Sequence, residues 1–321
     1  MFKVIISETI YAKISAAEEV KPAQTRSYLY KLMTQQQVQR LTSEETAHLR
    51  SHPEEVLKNP SSLYILDITP TEALGIQKNM GVLCLSGDSP DITPLIDIND
   101  IHVPQQQKMS GRGWDSVLDS IEPLPSNALL LTDRYLFTKR NKDAGDGLAN
   151  VYSILRELLP QQFSGGDYHV TIVFCDDKKH GSYTFTEIAT KLYNITQQMG
   201  RYYPIMMEVF GIAEGSSIYD MLHSRRIVSN YYLVEASHKL AAFNHNLGTV
   251  QQTLIPMTLF TENSLNGIGS SPLDSINQTI QSFQDFYNEI LSRPDKSIDY
   301  LYAVNGKRME RCMKIRNRLI M

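Results

Sequence analysis

The sequence has little cysteine, little net charge and no long apolar run. Its three cysteines, Cys84, Cys175 and Cys312, lie far apart and form no CxxC pair, which argues against a structural zinc site and favours a reducing compartment. The net charge is -4, from 31 basic and 35 acidic residues, so the whole molecule has no strong field that would attract nucleic acid or acidic lipid. Any such contact has to be local.

The first residues, MFKVIISETIYAKI, match neither a signal peptide nor a membrane span. The stretch is short and is interrupted by Ser7, Glu8 and Lys13, whereas a membrane helix needs about 20 apolar residues in a row. We therefore expect a cytoplasmic protein with no membrane span. Its 321 residues, 42% hydrophobic and 21% charged, are enough for a large core, most plausibly in two domains.

The first third of the chain reads as a small α/β unit. Apolar runs at 2–6, 62–67 and 81–86 predict strands, and residues 27–58 have helical spacing. The segment that follows, DSPDITPLIDINDIHVPQQQKMSGRG, is rich in proline and glycine and predicts a linker. We place the two domains at residues 1–105 and 106–321.

The second unit alternates strands with helices. Strands are predicted at 128–138, 169–175 and 204–212, and helices at 147–160 and 184–200. This alternation predicts an α/β fold with a mainly parallel sheet flanked by helices. Two later runs, RRIVSNYYLVEA and TLIPMTLFT, have no helix between them and predict antiparallel strands that close the sheet. Helices are then expected at 273–294 and over the last segment, NGKRMERCMKIRNRLIM.

The stretch LHSRRIVSN at 222–230 is the strongest indication of chemistry. Its spacing, His223-x-Arg225-x4-Asn230, resembles the HxKx4D signature of the phospholipase D superfamily. HSRRIVSNY is similar to the divergent phospholipase D-like domains of MIT-domain proteins. In that family the histidine attacks phosphorus, the lysine holds the phosphate oxygens and the aspartate orients the site. The resemblance covers about residues 110–260 and implies a phospholipase D-like fold for the second unit.

The departures from the signature change the expected chemistry. Arg225 in the lysine place can hold a phosphate bidentately, but Asn230 in the aspartate place supplies no negative charge to stabilise an imidazolium. Downstream, where the family often has Gly-Ser-x-Asn, only Ser237 matches. The resemblance thus implies a degenerate phosphate-binding module that recognises a phosphodiester, such as nucleic acid or a phospholipid headgroup, without a cofactor.

Two alternatives stay open at this point. One is an active, metal-independent phosphodiesterase or nuclease that uses His223. The other is a structural or protein-partner module, in which Arg225 is ion-paired and the arginines only mark a solvated strand end.

An earlier segment that resembles LHSRRIVSN, which we call the internal echo, adds one further residue to the predicted site. LTDRYLFTK at 131–139 lines up with LHSRRIVSN, so that Arg134 matches Arg225 while Thr132 stands in the histidine place. Family enzymes bring two motifs together across a twofold axis. Because the echo lacks the histidine, a second active motif either comes from a partner subunit or is absent, and we expect a homodimer.

Alternation along a strand separates the two adjacent arginines. If 222–230 is a strand, His223 and Arg225 lie on one face, while Arg226 and Asn230 lie on the other. We therefore expect Arg225, and not Arg226, to hold an anion beside His223.

Other segments give weaker indications of a metal site or a nucleic-acid site than LHSRRIVSN gives of a phosphate site. Asp176 and Asp177 follow a strand end, where paired carboxylates can hold Mg²⁺, but a solvated turn explains them as well. His223, His238 and His245 do not share metal-ligand spacing, so no structural metal is predicted. The basic C-terminal segment KRMERCMKIRNR would suit nucleic acid, or it is simply a solvated helix face.

Overall fold

The computed structural model describes residues 2–16, 23–88, 90–97, 107–108, 124–137, 144–175, 184–212, 218–236, 240, 243–244, 248–249, 253–292, 300–305, 308–311 and 316–320.

The N-terminal unit is a four-stranded parallel sheet with helices between its strands. Its elements are β1 (Val4–Ser7), α1 (Glu8–Ser15), α2 (Ala23–Gln35), β2 (Val38–Leu41), α3 (Ser43–Ser51), β3 (Leu63–Leu66), α4 (Pro70–Met80) and β4 (Cys84–Ser86). The strand order is β2-β1-β3-β4. The predicted strands β1, β3 and β4 are confirmed. The strand β2 was missed because it is an edge strand, buried only at Leu41, inside a segment that otherwise has helical composition.

The second unit is built on a mixed sheet. The elements that follow β4 along the chain are β5 (Ile96–Asp97), β6 (Gln107–Lys108), β7 (Ala128–Thr132), α5 (Ala144–Leu158), β8 (Tyr168–Cys175), α6 (Phe185–Gln198), β9 (Ile205–Ile212), β10 (Arg225–Ser229), β11 (Tyr232–Ala236), β12 (Phe243–Asn244), β13 (Gly248–Thr249), β14 (Thr253–Thr258), β15 (Phe260–Thr261), α7 (Glu262–Leu265), α8 (Pro272–Ser292), β16 (Tyr300–Asn305) and β17 (Arg308–Arg311). Over the described residues the large sheet has nine strands in the order β17-β16-β9-β8-β7-β10-β11-β14-β6.

The α/β class is confirmed, and the large sheet is mixed rather than mainly parallel. Parallel pairing in it joins β7 to β8 and β8 to β9, the strands that are separated by the helices α5 and α6. The pairs β7–β10, β10–β11 and β11–β14 are antiparallel, as predicted for strands with no helix between them, because a parallel partner needs a long crossover connection.

The expected C-terminal helix is wrong over the described residues, since 316–320 are not helical and Arg308–Arg311 is extended. This segment is strand β17, which pairs antiparallel with β16 so that Asn305 faces Arg308. In sequence, the two residues between them are Gly306 and Lys307, and a two-residue connection that begins with glycine is typical of a β-hairpin. Cys312 to Ile315 of the predicted helix lie outside the described residues.

Buried polar contacts join the two units. The Tyr231 hydroxyl donates to the Ser62 carbonyl at 2.7 Å and accepts from the Leu83 amide at 2.9 Å. A Cβ added at Gly81 would lie 2.0 Å from the Ser126 carbonyl oxygen, so only glycine permits this close approach. Because one hydrophobic cluster also runs through both units, the seam between them is packed as a core. The domain boundary at 105/106 stays a prediction.

Residues 316–320 lie across β8 and β9. The Glu208 carboxylate is buried and accepts from the Arg316 amide at 2.7 Å and from the Thr171 hydroxyl at 3.0 Å. Burial raises the pKa of the Glu208 carboxyl. The Arg318 amide donates to Nδ1 of His169 at 3.2 Å, which requires that this nitrogen be unprotonated.

We expect His169 to make the stability depend on pH. Burial, together with the charges of Arg318 and Arg316, lowers the pKa of His169 from 6.5 to about 4. Between these values the unfolded chain binds the proton and the folded chain does not, so the stabilisation is complete above pH 6.5 and is lost as the pH falls towards 4. In His169→Asn, whose Oδ1 takes the place of Nδ1 and can accept the same hydrogen bond, the free energy of unfolding should fall less over this range. Denaturant titrations at several pH values would measure it, and parallel curves for the two proteins would contradict the assignment.

In the part of the chain that the structure describes, no helix is both long enough and apolar enough to cross a membrane.

Candidate phosphate-binding edge

Antiparallel pairing of β7 with β10 brings together two segments that are about ninety residues apart in the sequence. Arg226 of β10 pairs with Thr132 at the end of β7. Arg134 therefore follows β7 at the same edge of the sheet at which His223 and Arg225 precede or begin β10. We call Arg134, His223 and Arg225 the basic edge.

The entry to β10 is fixed by local contacts. Asp220–His223 forms a short 3-10 turn, so the strand starts at Arg225 and not at Leu222 as predicted. Leu222 is fully buried and anchors this turn. The Thr132 hydroxyl donates to the Ser224 carbonyl at 3.1 Å and accepts from the Arg226 amide at 3.2 Å. These bonds tie the turn to the end of β7.

Arg134 is held from both sides. Its carbonyl accepts from the Cys175 amide at 3.1 Å, and its guanidinium lies 3.5 Å from the centroid of the Tyr219 ring. Its Nη1 contacts Nε2 of His223. Because a guanidinium can only donate, Nε2 can take part in this contact only as the acceptor.

Arg225 completes the basic edge. Its Nη1 donates to the His223 carbonyl at 2.9 Å. The Nε atoms of Arg134 and Arg225 are inaccessible and have no hydrogen-bond partner. Across the described ranges, neither guanidinium forms an ion pair with a carboxylate. The neighbouring Asp133 is turned into the interior, where its carboxylate accepts from the amides of Tyr135 and Leu240 at 2.9 and 2.7 Å.

Arg226 points to the other side of the sheet. Its guanidinium forms an ion pair with Glu235 at 2.8 Å and donates to the Thr279 hydroxyl of α8 at 2.6 Å. The expected separation of the two arginines is therefore observed. His223 lies beside Arg225, although it belongs to the turn rather than to the strand.

Asn230 is not part of the basic edge. It lies in the two-residue turn between β10 and β11, at the far end of a strand that rises about 3.3 Å per residue, so about 17 Å of backbone separate it from Arg225. Its Oδ1 accepts from the amides of Asn127 and Ala128, and its Nδ2 donates to the Pro60 carbonyl at 3.0 Å. The predicted grouping of Asn230 with His223 and Arg225 is therefore corrected, and its amide belongs to the seam between the units.

Other predicted site residues cannot be placed. Ser237 follows Ala236, which pairs with Arg225, but Ser237 itself lies outside the described residues, as do Asp176, Asp177, His238 and His245. Among the residues that are described, no group of three or more metal-ligating side chains converges.

The two segments of the internal echo do not occupy equivalent positions in their strands. Arg134 comes after the end of β7, whereas Arg225 begins β10. A duplicated unit would place both arginines at the same position of their strands. The two arginines instead both contact His223, because β7 and β10 are antiparallel neighbours.

Two contributors were missed in the sequence. Tyr219 supplies the ring beneath Arg134, and Thr132 supplies the hydroxyl that fixes the start of β10. Tyr219 stands four residues before His223, a spacing that suits a short turn, and this was the only signal for it. Thr132 had been considered only as a replacement for histidine.

No protein-family model matches this chain, and no curated protein matches it either. The likeness to phospholipase D-like domains thus rests on the residues quoted above.

Proposed function

We propose that the basic edge binds the phosphate of a phosphodiester and does not cleave it. The observation that carries this proposal is the convergence of Arg134, His223 and Arg225 at one edge of the sheet, with no ion pair to a carboxylate within the described residues. Two guanidinium cations that contact the same histidine, with no described carboxylate paired to either of them, repel one another, and a bound anion would relieve that repulsion.

The adjacent Arg226 provides an internal comparison. Glu235 and Thr279 already satisfy its guanidinium, so it has no need of an external anion. Arg134 and Arg225 use one Nη each on His223, and their Nε atoms are inaccessible. Among the described residues, their Nη2 groups remain without a partner. Free guanidinium donors are well suited to the oxygen atoms of a phosphate, which they can bind in pairs.

Binding without cleavage is favoured by two features. In the phospholipase D superfamily an aspartate orients the catalytic histidine. The corresponding residue here is Asn230, which lies at the end of β10 away from His223. In addition, Nε2 of His223 accepts from Arg134, so its lone pair is engaged and is not directed at a phosphorus atom. A nucleophilic histidine needs that lone pair.

The shared chemistry of the ligand is a phosphodiester monoanion, which both single-stranded nucleic acid and phospholipid headgroups present. The homodimer expected from the family resemblance stays a prediction, and light scattering would test it. A dimer would double the number of basic edges and would raise the avidity for a repeating ligand.

One experiment distinguishes a phosphodiester-binding protein from a phosphodiesterase. The protein is titrated with a labelled single-stranded oligonucleotide and, in parallel, with vesicles of anionic or zwitterionic phospholipid, while hydrolysis of an activated phosphodiester is followed in the presence of a chelator. We expect salt-sensitive binding to one of these ligands and no turnover. Turnover that His223→Ala abolishes would establish an enzyme instead, and absence of binding to all of them would refute the proposal.

A further inference from the structure

A cavity lies at the other end of β10, between the two units. Its volume is about 320 Å³, near the lower end of the range for small-molecule sites. Five parts of the chain form its walls: residues 2–3 just before β1, the loop at 58–61, the end of β10 with Asn230, the helix α8, and residues 318–319. The cavity is separate from the basic edge.

The described walls of this cavity carry positive charge and no carboxylate. Lys3, Lys58 and Arg318 line it, and neither aspartate nor glutamate does. Lys58 is paired with Glu55 at 3.1 Å, whereas the one partner of Lys3 among the described residues is the amide oxygen of Asn59, at 3.3 Å. Arg318 donates to the carbonyls of Asn127, Asp167 and Gly165. A metal cation is thereby disfavoured, and an anion is favoured.

The remaining walls combine apolar and amide side chains. Phe2, Leu273, Ile276 and Leu319 are buried hydrophobic residues on the lining, and Asn277 and Gln281 add amide groups from α8. Inorganic phosphate alone would leave the apolar part of this space without contacts. A ligand with an anionic group and a short apolar body would satisfy both parts.

We propose that this seam cavity binds a small amphiphilic anion, that is, a carboxylate or phosphate group on a short hydrocarbon body. The Lys3 ammonium binds the anionic group, and the apolar side chains of α8 contact the hydrocarbon. Since the cavity is shared between the units, the bound anion stabilises their seam and raises the unfolding temperature. This site is independent of phosphodiester binding at the basic edge.

The test uses the full chain carrying Arg225→Ala, so that the basic edge contributes little. Calorimetric titrations compare hexyl phosphate and hexanoate with hexanol, which lacks the charge, and with inorganic phosphate, which lacks the hydrocarbon. We expect one of the two amphiphilic anions to bind at least about tenfold more tightly than both controls, the effect of one charge-assisted hydrogen bond or a few buried methylenes. Equal affinity for hexanol, or no binding at millimolar concentration, would overturn the proposal.

Variants locate the binding. Lys3→Gln should weaken binding by about tenfold or more, and Lys3→Arg should restore most of it. Lys78→Gln, which changes a lysine in the last turn of α4, is the matched control and should have no effect. If Lys3→Gln does not fold, Asn277→Asp places a carboxylate in the cavity and should abolish binding. Unchanged affinity in a folded Lys3→Gln or Asn277→Asp protein would contradict the assignment.

Discussion

Replacing Asn230 by aspartate should lower the free energy of unfolding by about 3 kcal/mol or more and should not create phosphodiesterase activity. Asn230 is 3% exposed, and its Nδ2 donates to the Pro60 carbonyl and to Oδ1 of Asn127. A carboxylate in this place would lose those donated bonds and would set a buried negative charge against oxygen atoms, and each such unsatisfied contact costs on the order of 1–3 kcal/mol.

This substitution separates the two roles of the position because aspartate is the residue that the phospholipase D signature has there. A catalytic role predicts that Asn230→Asp keeps its stability and gains hydrolysis. A seam role predicts a weakened fold and unchanged affinity of the folded protein for a phosphodiester. Denaturant unfolding followed by circular dichroism measures the free energy of unfolding of the variant. Wild-type stability in the variant would show that the seam contacts of Asn230 contribute little.

The second large effect is expected at Arg225. Arg225→Ala should weaken binding of a phosphodiester ligand by about tenfold or more, the loss expected from one charge-assisted hydrogen bond. The free energy of unfolding of the Arg225→Ala protein should change little. The Arg225 side chain is only partly buried, and its one hydrogen bond within the described residues goes to the His223 carbonyl.

Arg226→Ala is the matched control, one residue away. It should leave the affinity for the ligand nearly unchanged and should lower the free energy of unfolding by about 1–2 kcal/mol, because Glu235 and Thr279 lose a partly buried partner. Fluorescence titration and denaturant unfolding of both variants give the full comparison. Equal losses of affinity in the two variants would mean that the arginines act as a diffuse basic patch.

Sequence pattern predicted the large elements of the fold well. The strands β7, β8 and β9 and the helices between them followed from alternating apolar segments, and the antiparallel closure by β10, β11 and β14 followed from the absence of a helix between those runs. The mixed character of the sheet was underestimated because strand pairing is a long-range property. Nothing within β10 alone indicates that it pairs with β7.

The candidate site was predicted in part. Alternation of side chains correctly separated Arg225 from Arg226, since strand geometry is local. The position of Asn230 could not be read from spacing, because the strand ends one residue earlier, at Ser229, and the hairpin turn carries the asparagine into the seam. Arg134 was chosen through an alignment that the structure does not support, yet it lies at the basic edge because antiparallel neighbours share an edge.

The contacts between the two units could not be predicted from the sequence. Tyr231, which reads as part of a continuous strand, lies in the turn and binds the backbone of the N-terminal unit at Ser62 and Leu83. Such pairs are about 150–170 residues apart, and no periodic pattern links them. Only the packing of one unit on the other reveals them.

Anomalous diffraction from crystals soaked with a phosphorothioate dinucleotide tests the central claim most directly. The sulfur marks the phosphodiester without changing its charge. We expect a peak within hydrogen-bonding distance of the guanidinium groups of Arg134 and Arg225, with the backbone of the dinucleotide intact and no peak beside Arg226. A dinucleotide bound elsewhere, with Arg134 and Arg225 unoccupied, would contradict it.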